Sequence, residues 1–166
     1  MAAASYDPGE QLRISRDAHA TLRVEHGAHE IATIKRALGG AVRIDADGRS
    51  WRLTTDDDGW TAAGEPHATF RRRLLRSAVL TIGDDQYEIS RRTVKGLLRF
   101  RKDTDGARPI VRGEILAPPP QHADQHAVIA LATAAVVLGV DLTTTSVGSE
   151  VNGDNRSAAI RYGPGI

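Results

Sequence analysis

Two short aspartate arrays could hold a divalent cation: Asp45-Ala46-Asp47 and Asp103-Thr104-Asp105. A helix-loop-helix calcium loop needs glycine at its sixth position and a bidentate glutamate at its twelfth. Counting from Asp45 places Ser50 and Asp56 there, and counting from Asp103 places Arg108 and Glu114. Neither array completes the pattern, and both read as hairpin turns. His26 with His29, and His122 with His126 beside Asp124, have spacings that could start a zinc site, but no third ligand follows. The chain has no cysteine, which removes thiolate catalysis, disulfides and Cys-ligated zinc together and fits a reducing compartment.

Nucleophilic catalysis finds no support either. There is no Gly-x-Ser-x-Gly elbow, no phosphate-cradling glycine loop and no dinucleotide fingerprint. The densest carboxylate cluster, Asp56-Asp57-Asp58, precedes Gly59 as a solvated turn would. The expectation is a protein that is not an enzyme and needs no metal or cofactor.

The remaining asymmetry is electrostatic. The net charge is only +1, yet residues 71–102 carry ten basic and three acidic side chains. Arg71, Arg73, Arg91, Lys95, Arg99 and Arg101 are the candidate ligand-binding residues. Strand alternation puts Arg71 and Arg73 on one face, and Arg99 and Arg101 on one face; neighbouring strands would fuse them into a basic stripe. Such a stripe would attract anionic phospholipid head groups, each residue contributing about 1 kcal/mol near a charged surface. Arginine dominates throughout, with only Lys35, Lys95 and Lys102 as lysines, the bias of a GC-rich genome. Nucleic acid as a partner is disfavoured by aromatics at 4% and by the lack of a recognition helix. A protein partner is the alternative to lipid.

The elements that must position these side chains are strands. Asp45-Ala46-Asp47-Gly48 separates Val42-Arg43-Ile44 from Trp51-Arg52-Leu53, and Gly83-Asp84-Asp85-Gln86 separates Leu80-Thr81-Ile82 from Tyr87-Glu88-Ile89. Gly27-Ala28, Asp56 to Gly59, and Asp103 to Gly106 mark three further turns. The flanks alternate apolar and polar with period two, as half-buried strands do. The hairpins that run from Ala41 to Leu53 and from Ala78 to Ile89 resemble each other; duplication and chance both account for this.

Pro118-Pro119-Pro120 stops the last strand, Asp124 is a good N-cap, and Ala127 to Val140 is apolar except for Thr133. Fourteen residues make about 21 Å of helix, shorter than a bilayer's hydrocarbon core. A helix apolar on every face must be enclosed, and the strands are the available wall. Thr133 is expected to hydrogen-bond a carbonyl one turn back. The reading is a mainly β fold, an antiparallel closed β-barrel wrapped around a hydrophobic C-terminal helix. It spans residues 11–142, with flexible tails at 1–10 and 143–166. Met1 to Glu10 lacks the basic-then-apolar order of a signal peptide, so a cytoplasmic location, peripheral to the membrane, is expected.

A strand meander with repeated Asp-Gly turns and a closing hydrophobic helix resembles the tubby-like superfamily. That group includes phospholipid scramblases, LURP-one-related proteins and many bacterial members. The resemblance rests on Asp47-Gly48-Arg49-Ser50-Trp51-Arg52-Leu53, on Gly83 to Ile89 and on Ala127 to Val140. It implies a helix-plugged barrel and a lipid-facing role. The family's cysteine-rich palmitoylation stretch is absent, and no calcium site or phosphoinositide pocket maps onto particular residues.

Overall fold

The computed structural model describes residues 6–37, 41–73, 77–106, 108–121 and 124–139. Twelve strands follow one another: β1 (Gln11–Arg16), β2 (Leu22–His26), β3 (His29–Arg36), β4 (Val42–Ala46), β5 (Arg49–Asp56) and β6 (Gly59–Ala63) come first. Then come β7 (Ala68–Arg72), β8 (Ala78–Ile82), β9 (Asp85–Ile89), β10 (Thr93–Val94), β11 (Leu98–Asp105) and β12 (Arg108–Ile115). Each strand pairs antiparallel with the next, and β12 pairs with β1, closing a barrel. The single helix among the described residues, α1 (Gln125–Gly139), ends the described chain.

Local sequence explains the hairpins. Ala46 pairs with Arg49, so Asp47-Gly48 forms a two-residue turn. Both residues have positive φ, 51° and 73°, as the hairpin turn that matches strand twist demands. Alternation then sends one face inward. On β11, Leu98 and Phe100 are buried while Arg99 and Arg101 are exposed.

The inward face meets the helix. Every side chain from Ala127 to Leu138 is buried, and the helix touches β3 and β4 as well as β7, β8 and β10. The closed sheet covers α1 on all sides, as a helix without a polar face requires. Ala127, Ala130, Ala132, Ala134 and Ala135 keep the plug thin, and Trp51, Trp60, Phe70 and Phe100 fill the space around it with fully buried rings. Asp124 caps the helix as expected, its Oδ1 accepting from the Ala127 amide at 3.1 Å. No described helix is long and apolar enough to cross a membrane.

Two expectations are corrected. The Thr133 hydroxyl is fully buried and has no hydrogen-bond partner. Its desolvation is therefore uncompensated, and Thr133→Val is expected to raise stability by about 1 kcal/mol in denaturant titrations. A loss of stability would show that the hydroxyl is bonded after all. Residues 6–10 are not a loose tail: Tyr6 is 2% exposed against His26 and His126, and the Gly9 amide donates to the Ile115 carbonyl at 2.7 Å. The tail assigned to 143–166 lies outside the described residues.

Antiparallel order also sorts the turns between the two ends of the barrel. One rim carries the β2–β3, β4–β5, β6–β7, β8–β9 and β10–β11 connections together with the start of α1, which Arg49 and Asp124 join at 3.2 Å. The other rim carries the β1–β2, β3–β4, β5–β6, β7–β8, β9–β10 and β11–β12 connections, and α1 ends there.

Candidate functional site

The topology does not build the stripe that strand alternation suggested. β7 and β11 are separated by β8, β9 and β10, so Arg71 and Arg99 share no wall. Antiparallel connections bring a different set together. The strand order places the β7–β8, β9–β10 and β11–β12 connections one after another along the rim at which α1 ends. Arg73, Arg91 and Arg92 border the β7–β8 and β9–β10 connections, and Arg101 and Lys102 lie in the middle of β11 beside Arg92, whose carbonyl accepts from the Phe100 amide at 2.6 Å; all five are exposed. Two of the six expected residues, Arg73 and Arg91, therefore lie at one rim, and a third, Arg101, stands on the β11 wall beside the β9–β10 connection.

The other three sit elsewhere or are committed. Lys95 lies at the opposite rim, 3.7 Å from Glu88. Arg99 stands on the outer wall, where its Nη2 meets Glu114 Oε2 at 2.5 Å. Arg71 folds back onto the wall instead of reaching outward. Its Nη1 donates to the Phe70 and Trp60 carbonyls at 3.0 and 3.1 Å, and its Nη2 to Thr61 Oγ1 at 3.2 Å. Asp56 lies 3.5 Å away from the same guanidinium. Arg71 is a clamp across β6 and β7, because its planar fork suits several acceptors held in fixed positions.

Below the rim, the wall formed by β10, β11, β12 and β1 holds a second basic surface, which the segment 71–102 alone could not reveal. Arg112 of β12 faces Arg101 of β11 on one side and Arg13 of β1 on the other. Arg112 Nε meets Asp103 Oδ2 at 2.6 Å. The Thr104 amide, donating to Asp103 at 2.8 Å, and then the Arg112 and Arg101 guanidiniums hold the Asp103 carboxyl below its usual range. That carboxylate stays ionised and keeps Arg112 in place. A groove of about 480 Å³ opens beside these residues.

The aspartate arrays act as structural groups. Asp45 accepts from Arg43 at 2.7 Å and from the Ser50 hydroxyl, which with Arg43 lower its pKa against the opposing cost of burial. Histidines stay apart. His26 pairs with Glu10 at 2.9 Å and His126 approaches Asp47 at 3.7 Å, on either side of Tyr6. Burial, followed by the charges of Glu10, Asp124 and Asp47, raises the Tyr6 pKa far above its usual value. Burial with Asp85 nearby pushes Tyr87 up to about 12, so neither phenol ionises near neutral pH. Among the described residues no group of three or more His, Asp and Glu side chains converges as metal ligands; His122 lies outside them.

Comparison of the chain with protein-family models, with curated proteins and with solved structures gives no significant match.

Proposed function

We propose that this protein is a non-enzymatic binding module that attaches peripherally to an anionic phospholipid surface, on the cytoplasmic side, through one rim of its barrel. The observation that carries the reading is the set of Arg73, Arg91, Arg92, Arg101 and Lys102, all exposed, at the β7–β8 and β9–β10 connections and on the stretch of β11 beside them. A rim presents its charges to a plane together, whereas a stripe on a curved wall turns most of them away. Each basic residue near such a surface contributes about 1 kcal/mol, and salt weakens the attraction over about a Debye length. The tubby-like resemblance belongs to this same proposal. The barrel plugged by a buried helix is the architecture that the resemblance implies, and it supports the lipid-facing reading without identifying a lipid.

The chain is expected to sediment with phosphatidylserine vesicles at low ionic strength and to be released by added salt. Replacing Arg73, Arg91 and Lys102 together by alanine is expected to weaken binding about 100-fold, from roughly 3 kcal/mol for three residues. Binding that ignores salt, or that survives the triple substitution, would exclude the rim as the attachment surface.

A further inference from the structure

The outer wall where the first and last strands meet breaks a rule of sheet pairing. Arg13, Arg112 and Arg101 stand directly opposite one another on β1, β12 and β11, with Glu25 of β2 opposite Arg13 on its other side. Directly opposed Cβ atoms lie about 5 Å apart, and like charges in such pairs destabilise a sheet. The next row of outward positions is Gln11, Glu114, Arg99 and Thr93, again in register. The groove of about 480 Å³ lies at these two rows and is lined by Arg92, Arg99, Arg101 and Arg112, with Gln11 and Thr93.

Its charge balance stays positive. Glu114 also lines the groove and engages one nitrogen of Arg99, and Asp103 engages Nε of Arg112. Four guanidiniums thus face two carboxylates, and each paired arginine has nitrogens beyond the one in contact. Planar guanidiniums present parallel N–H groups that match the oxygens of a phosphate. The Thr93 hydroxyl adds a neutral donor, while the Gln11 amide nitrogen donates to the Gly9 carbonyl at 3.2 Å. A volume near 480 Å³ falls in the range of about 300–1,000 Å³ that organic ligands occupy.

We infer that this groove is a discrete site for a molecule carrying a phosphate or diphosphate group, supplied by a soluble phosphate ester or by a phospholipid head group. Arg92 and Arg101 also border the basic rim, but the site does not rest on the membrane reading, because its ligand can arrive from solution.

Inorganic pyrophosphate titrated into the full chain at low salt is the direct probe. It is expected to bind with one-to-one stoichiometry and to raise the melting temperature. Arg101→Gln with Arg112→Gln is expected to weaken that binding at least about tenfold, the loss of one charge-assisted hydrogen bond or more. Arg73→Ala with Arg91→Ala, on the rim, should leave it unchanged. Arg101→Gln alone leaves the Arg112–Asp103 contact in place and is expected to keep the fold while still weakening pyrophosphate binding; unchanged binding in that folded variant would overturn the groove as the site. Phosphatidic acid vesicles run in parallel separate the two sources. Loss of pyrophosphate binding alone in the double variant assigns a soluble ester, and loss of both assigns a head group. A parent chain that does not bind pyrophosphate, or a double variant that binds it as tightly, overturns the site.

Discussion

Leu131→Asp is expected to unfold the whole chain, not only to loosen its last helix. Leu131 is fully buried near the middle of α1, inside the closed sheet. A carboxylate there has no cation within the core among the described residues, whose buried side chains are apolar apart from Thr133. Stranding a charge in such surroundings costs several kcal/mol, or forces protonation at a comparable penalty. A domain holds only about 5–15 kcal/mol of total stability, so one such change consumes much of it. Circular dichroism and thermal melting should show strand signal and cooperativity falling together. A melt as high and as cooperative as the parent's would instead mean that the helix is dispensable to the barrel, as a membrane anchor would be.

Gly59→Ala is expected to cost about 3 kcal/mol or more, close to the upper end for overpacked cores. Gly59 has φ of 154°, and a Cβ built on it would lie 2.0 Å from the Phe70 carbonyl oxygen. That oxygen cannot easily move. It accepts from Arg71, and the Phe70 ring is stacked on Trp60 with centroids 5.6 Å apart. Yielding would open the β6–β7 pairing and loosen the Arg71 clamp at once. In a domain of this size the melting temperature should fall by about 10 °C. Gly48→Ala is the control, because its φ is also positive but no atom lies within 4 Å of the added Cβ. It should lose only about 1 kcal/mol from backbone strain. Equal losses at the two positions would show that contact with Phe70 contributes nothing.

Much of the fold is legible along the chain because its signals are local. Asp47-Gly48 needs only its own φ preferences to turn, and Leu98-Arg99-Phe100-Arg101 needs only the two-residue period to divide into faces. The helix was legible for a related reason. A segment without a polar face has no stable place except within other structure, so Ala127 to Leu138 announces its own enclosure. The order of the N-terminal residues is not legible locally, because Tyr6 gains its burial from His26 and His126, which are far away in sequence.

The candidate surfaces are less legible, because they depend on which strands become neighbours. Arg71 and Arg73 were expected to join Arg99 and Arg101 through a shared wall. Three intervening strands prevent that, and the alternation of turns between the ends offers a rim in its place. Arg71 left the set because its partners, the carbonyls of Trp60 and Phe70 and the hydroxyl of Thr61, are presented only after β6 pairs with β7. Arg112 and Arg13 entered because closure lays the last strand against the first.

The amino-acid sequence by itself determined the kind of molecule: strands with one buried face, tight Asp-Gly turns and an apolar helix that must be wrapped. Those properties follow from each residue's own conformational and solvation preferences. The tertiary structure alone decided which arginines meet, at the rim and in the groove, and which one is held in the wall. Charge on a strand is specified one residue at a time, but a charged surface is made by pairing residues whose separation only barrel closure removes.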